Sequence, residues 1–196
     1  MTAITWVILG VLAVIILWFV GGYNRFIRLI IRTKEAWADI EVQLKRRYDL
    51  IPNLVNTVKG YATHEQGTFE AVISARAKAT QMTVDPSNIT PDQIKAFGAS
   101  QMDLSQALGR LLALSENYPD LKANQNFIEL QKELSDTENK IQAARRFYNG
   151  NVRDLNIGID SFPNNIIANM FKFKKMEFFE LEAGSNEKAV PEVKFN

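Results

Sequence analysis

The sequence predicts an all-α protein: an N-terminal transmembrane helix that continues into the first helix of an antiparallel up-down-up-down helical bundle. Three observations predict it. The first 24 residues carry no charged side chain. Beyond them, apolar side chains recur at alternating spacings of three and four, the mark of a helical seam. Short breaks rich in Pro, Asn and Asp divide these seams, so the helices they join are antiparallel neighbours. Strand-like alternation is not seen.

Residues 1–24 are the anchor. Ile4 to Val20 is almost wholly aliphatic and aromatic. Extended to Tyr23 it gives about 20 residues, or about 30 Å of helix, which matches a hydrocarbon core. Trp6 at one end, and Trp18 and Tyr23 at the other, suit the two water–lipid boundaries. Arg25, Arg28, Arg32 and Lys34 follow at once. Positive charge on that side alone places the N-terminus outside and the remainder in the cytoplasm, as in a single-pass protein of the cell's inner (plasma) membrane. A cleaved signal peptide would need a basic leading region and a small-residue cleavage site, and Val20-Gly21-Gly22 is a poor one.

Residues 25–162 read as the cytoplasmic bundle. The first seam runs Tyr23, Ile27, Ile30, Lys34, Trp37, Glu41, Leu44, Tyr48, Ile51, with Lys34 and Glu41 either moved to its flank or paired across it. Pro52 is expected to stop this rod in a reversal at Leu50-Ile51-Pro52-Asn53, because its ring disfavours a helix interior. A second helix then carries Leu54, Val58, Tyr61, Thr68, Val72, Ala75 and Ala79, weakened by Gly60 and Gly67. Thr90-Pro91-Asp92-Gln93 announces a third as a capping box, with the seam Ile94, Phe97, Gln101, Leu104, Leu108, Leu111. Asn117-Tyr118-Pro119-Asp120 ends it. A fourth carries Phe127, Leu130, Leu134, Thr137, Ile141, Ala144 and Tyr148, with a register adjustment near Gly150, and stops at Ser161-Phe162-Pro163.

Residues 163–183 form an aromatic, basic segment with Phe171, Lys172, Phe173, Lys174, Lys175, Phe178 and Phe179. Such a segment suits a membrane surface, apolar groups in the acyl boundary and lysines on anionic head groups. Alternatively, its phenylalanines cover the open end of the bundle core. Residues 184–196 are polar and read as a disordered tail.

Composition excludes much chemistry. With 23 basic and 22 acidic residues, the chain lacks the charge excess that nucleic-acid binding needs. It has no cysteine and one histidine, so thiolate sites and His-rich metal sites are excluded and no metal or cofactor is expected. His64-Glu65-Gln66-Gly67-Thr68 resembles the His-Glu-x-x-Thr box of sensor histidine kinases. That makes an orphan phosphotransfer module using His64 the alternative function, but no nucleotide-binding motif follows.

The block EAWADIEVQLKRRYDLIPNLVNTVKGYATHE, Glu35 to Glu65, resembles the signature of the LemA family of bacterial membrane proteins. The resemblance continues in ARAKA from Ala75, ENYPDLKANQNF from Glu116 and ELSDTENKIQAARRFYNGNVRDLN from Glu133. It implies an anchored cytoplasmic helical bundle with an outside N-terminus and a membrane-organising role, since some relatives are associated with membrane-bound organelles, and it offers no catalytic residues to carry over. Lys45, Arg46, Arg47 and Asp49 stand one turn before the expected reversal, either as a clamp on the hairpin or as an interaction surface. The reading is therefore a non-enzymatic membrane-anchored scaffold. Its expected partners are the lipid bilayer, further copies of itself in a homo-oligomer, and an unidentified protein.

Overall fold

The computed structural model describes residues 3–180, and the first helix dominates it. Helix α1 runs without interruption over Ala3–Lys59, about 85 Å at the ordinary helical rise. The apolar window near its N-terminus is long enough to cross a membrane and no part of it is buried inside the protein. From Phe26 onward the same helix buries Thr33, Ala36, Trp37, Ile40, Leu44, Arg47, Ile51, Leu54, Val55 and Val58. The buried stripe is rotated slightly from the expected seam. Lys34 lies on the exposed flank and Ile40 takes the inward place beside Glu41.

Pro52 does not end α1, and the expected reversal at 50–53 is corrected: the turn falls at residues 60–65. Proline at position 52 removes the hydrogen bond to the Tyr48 carbonyl four residues earlier. Arg76 Nε donates to that carbonyl instead, at 2.8 Å. Ile51, Leu54 and Val58, all within 1% of complete burial, continue the apolar face across the break. Packing and one long-range donor together outweigh a cost of about 3 kcal/mol.

The second helix therefore begins later than expected. Helix α2 spans Gln66–Gln81, and Leu54 and Val58 belong to α1, with Tyr61 in the turn. Helix α3 spans Pro91–Ala113 and opens on the predicted capping box: Thr90 Oγ1 accepts from the Gln93 N–H, and Gln93 Oε1 accepts from the Thr90 N–H. After a 3-10 turn at Leu114–Glu116, α4 is a single turn at Pro119–Lys122. Helix α5 runs over Gln125–Asp160 and passes Gly150 with no break, so the expected register adjustment is not needed. A cis peptide joins Phe162 to Pro163, and the short α6, Asn164–Met170, follows.

Four helices alternate in direction, as expected. Level with Trp37 stand Phe97 near the start of α3 and Tyr148 late in α5. At the far end, Tyr61 accepts from Asn124 and Tyr118 donates to Glu65. Helix α1 packs chiefly along α5, and α2 along α3, while α3 and α5 scarcely touch. Two close approaches bring the C-terminal part to the membrane exit of α1. A side chain at Gly22 would collide with Ile167 of α6, and one at Gly158 of α5 would press on Phe26 at 3.3 Å.

Candidate functional site

Two features outside ordinary apolar packing are candidates: a polar layer in mid-bundle, and an aromatic collar where α1 leaves the apolar span.

The polar layer centres on Arg47, whose side chain is 2% exposed. Its guanidinium donates to Glu138 Oε1 of α5 at 2.9 Å, to Ser105 Oγ of α3 at 3.3 Å, and to Gln101 Oε1 of α3. Tyr48 shares in this layer through a mutual hydroxyl–amide contact with Gln101. Burial raises the Tyr48 phenol above its ordinary value, against the lowering influence of the Gln101 bond and the Arg47 charge. A buried arginine is costly unless its donors are met. Here one fork ties three helices, and Nε alone of its nitrogens lacks a partner.

Because α3 and α5 stay apart, a groove of about 550 Å³ opens beside this layer. Its polar lining includes Arg47, Gln101, Glu138, Gln142 and Arg145, and Phe179 stands at one end. Arg145 Nη1 is buried without a hydrogen-bond partner. Burial, and then the neighbouring Arg146 charge, hold the Arg145 guanidinium below its usual range.

The collar is built from both ends of the described chain. Phe171 lies tilted against Tyr23 at 4.6 Å and reaches Phe19 at 5.7 Å, while Phe173 lies against Phe26 at 5.0 Å. From Phe173 the chain runs irregularly back along α5. Asn156 clamps Met176 through both its backbone N–H and C=O, and Asn149 does the same to Phe179. Phe179 is 1% exposed and packs against Trp37 and Phe97.

The structure separates residues the sequence grouped together. Lys45, Arg46 and Arg47 lie in mid-helix, so the placement one turn before a hairpin, with its macrodipole argument, is corrected. Lys45 and Asp49 are exposed, and half-exposed Arg46 stands 3.6 Å from Glu133. Arg47 turns inward. Of the residues expected to touch the membrane, Trp6, Trp18, Arg25 and Arg28 are exposed and Tyr23 is half-buried within the collar. Phe179 covers the bundle core, whereas Phe171 and Phe178 remain 43% and 40% exposed. Lys172 and Lys174 are exposed, and Lys175 pairs with Asp160 at 2.7 Å. Residues 181–183 and the tail 184–196 lie outside the described residues.

His64 is exposed but stands in the α1–α2 turn, a correction to its expected place on the second helix. The residues of its box are thus not presented on one helical face. No group of three or more His, Cys, Asp or Glu side chains that could hold a metal occurs among the described residues. Sequence reasoning missed Gln101, Glu138, Gln142, Arg145, Asn149 and Asn156. A signal was available for Gln101 and Thr137: polar residues on otherwise apolar seams.

Known proteins are similar to this chain in sequence. The chain is 24% identical to magnetosome protein MamQ of Magnetospirillum gryphiswaldense, over 87% of this chain and 70% of that one. It is 26% identical, with the same coverage, to magnetosome protein MamQ 2 of Paramagnetospirillum magneticum. To protein LemA of Metamycoplasma hominis it is 28% identical, over 83% of this chain and 70% of the relative. The apolar helix and these relatives mark a membrane-associated protein. The LemA family model matches residues 36–195, most of the sequence, and the chain belongs to the LemA family.

Proposed function

We propose that this protein is a non-enzymatic, membrane-anchored helical scaffold at the inner face of a bacterial cell membrane, self-assembling or binding a protein partner. The observation that carries the reading is the continuity of α1 from its bare apolar span into the bundle. A flexible tether would let the domain wander. An unbroken helix, gripped at its exit by Phe171 and Phe173 and farther on by α5, fixes the height and tilt of the bundle over the bilayer. That is useful for holding partners in place and adds nothing to catalysis.

The orientation in this reading is N-terminus outside and C-terminus cytoplasmic, from Arg25, Arg28, Arg32 and Lys34. Phe171, Lys172 and Lys174 then face the lipid surface, with Trp6 and Trp18 at the boundaries, while Phe178, next to Phe179 at the level of Trp37, stands away from it. The MamQ relatives are named for the magnetosome, and a membrane-organising role for this chain agrees with that name. Exposed Lys45, Arg46 and Asp49 supply a charged face for a partner.

Purification in native detergent followed by mass measurement tests assembly: a defined oligomer, or a stoichiometric co-purifying protein, is expected, and a bare monomer would count against the scaffold. For orientation, a cysteine at Thr2 should react with an impermeant maleimide on intact cells and one at Ser185 should not. A bimane probe on Phe171→Cys in anionic liposomes should be quenched by nitroxide-labelled lipid. Unquenched fluorescence removes the lipid contact.

A further inference from the structure

After the uncharged residues 1–24, the longest run without a charged side chain is 161–171, the corner where α5 gives way to α6. The fold brings these two runs together. Ile167 of α6 occupies the space that a side chain at Gly22 would need, and Phe171 meets both Phe19 and Tyr23. Phe19 and Gly22 both precede the first charge of α1, at Arg25. At the ordinary helical rise, Phe19 lies about 6 Å nearer the middle of the apolar span than Tyr23 does. Helix α6 is therefore level with the last turn of the span, not clear of it.

What the corner shows outward at this level is apolar. Ile167 and Ala168 are buried, while Ile166 and Met170, four residues apart on one face of α6, are exposed. Phe162 is 81% exposed, more than any large apolar side chain of the bare span itself. In water this cluster would stand as an uncovered apolar patch. Beside the last turn of the span, it meets the lipid that covers the span. Charge resumes at both ends of the corner, where Asp160 pairs with Lys175 and Lys172 and Lys174 are exposed. Exposed Asn169 limits the depth, because its carboxamide needs hydrogen-bonding partners at the head-group level.

We propose that the α5–α6 corner is a second membrane-embedded element, a shallow wedge that sets Phe162, Ile166 and Met170 among the acyl chains of the leaflet from which α1 emerges. Its ligand is the acyl boundary of that leaflet, about 5–10 Å into the interface, where amphipathic elements lie. This rests on the lipid contact proposed for Phe171 and on α1 crossing the bilayer, but not on which side the N-terminus lies. A single span leaves a rod free to turn about its own axis, and anchors at the interface set that rotation. The wedge lies on one side of α1 only. It thereby decides which flank of the bundle is turned toward the bilayer.

The chain has no cysteine, so spin labels can be placed singly at Phe162→Cys, Ile166→Cys and Met170→Cys. All three positions are exposed, and an unchanged helical melt checks that each variant folds. In full-length protein reconstituted into liposomes, each label should collide more with dissolved oxygen, which concentrates among acyl chains, than with a water-confined nickel complex. Phe178→Cys, on the strap level with Trp37, is the reference and should show the reverse order. Replacing anionic by zwitterionic lipid should leave the corner's preference for oxygen in place. Its loss there would make the corner a head-group contact and overturn the wedge. Free access of the nickel complex to all three positions overturns it too, and low access to both reagents would assign the patch to a second copy. Phe171→Cys in the same liposomes separates the two readings. If nitroxide-labelled lipid quenches its bimane while the corner meets water, only the wedge falls; if not, the lipid contact falls with it.

Discussion

On either side of Arg47 the bundle is closed by different means. Toward the membrane, the core is aromatic: Phe26, Trp37, Phe97, Tyr148 and Phe179, with rings meeting at 5.0–5.7 Å among Phe26, Phe173, Trp37, Phe97, Tyr148 and Phe179. One wall there is not a helix at all but the chain after α6, fastened by side-chain-to-backbone bonds. Away from the membrane the core is mainly aliphatic, with Leu54, Val58, Leu104, Leu111, Leu121 and Leu134 around Phe127. It is walled by helices and their turns. A helix satisfies its own backbone, whereas an extended wall needs donors and acceptors from elsewhere. Asn149 and Asn156 meet that need, each giving and taking one bond. The near half is thus closed by a strap held through side-chain bonds, and the far half by helices that satisfy their own backbone.

The largest effects should come from removing one large ring in each half. Phe127→Ala and Phe179→Ala each delete a side chain 1% exposed and should cost about 3–5 kcal/mol by lost transfer and cavity. Their consequences should differ. Phe127→Ala should lower global stability, read as a drop in melting temperature and uniform loss of amide protection. Phe179→Ala should free residues 173–180 and leave the far half's protection near its original level. Equal loss in both halves would erase the distinction.

Next comes the layer between them. Arg47→Ala should cost about 3 kcal/mol, the lower end of the range for breaking a buried pair. Two features keep it there: the Glu138 side chain is 32% exposed and can rehydrate, and Gln101 retains its contact with Tyr48. Arg46→Ala should change stability by less than about 1 kcal/mol, because its pairing with Glu133 is half-exposed. Denaturant titration of both variants checks the contrast between two adjacent arginines.

Alkali should act on both halves through buried phenols. Burial raises Tyr48, at the layer, and Tyr148, in the aromatic half, above ordinary values; Glu177's charge adds to the rise at Tyr148. A raised folded-state value means the folded protein holds the proton more tightly. The corresponding stability is fully present below the unfolded value of about 10 and is lost as pH rises toward the folded value. Melting temperature should therefore fall between about pH 9 and pH 11. Tyr148→Phe should flatten that fall while costing about 1 kcal/mol near neutrality, since Tyr148 donates to the Glu177 carbonyl at 2.9 Å. An unchanged slope in Tyr148→Phe would exclude it as a source.

How far the sequence discloses this architecture depends on the range of the forces involved. The capping box at Thr90 and Gln93 is legible because all its atoms lie within four residues. The stop at Ser161 and the order of the helices are legible for the same local reason. Pro52 is misleading, because the donor that replaces its missing bond, Arg76, sits on another helix. Arg46 and Arg47 look equivalent in the chain, and only Gln101 and Glu138, 54 and 91 positions away, decide which one turns inward. The strap is half-legible: its phenylalanines are plain, but the asparagines that hold its backbone resemble any helix surface.

The smallest effect expected is a gain. Lys172 has φ 56°, the left-handed region, and sits where α6 ends. Around it, the Phe173 N–H donates to the Ala168 carbonyl at 2.9 Å and the Lys172 N–H to the Asn169 carbonyl at 3.3 Å. That pair of bonds is the Schellman closure, which favours glycine at the left-handed position. A Cβ there costs about 1–2 kcal/mol, and glycine returns part of this as extra entropy in the unfolded chain. Lys172→Gly should therefore stabilise the near half by about 0.5–1 kcal/mol, with the far half unaffected. Amide exchange at residues 173–180 should slow, since the same turn aims the strap at Asn156 and Asn149. Faster exchange there would mean that the Lys172 side chain contributes more, through a lipid or protein contact, than its backbone strain removes.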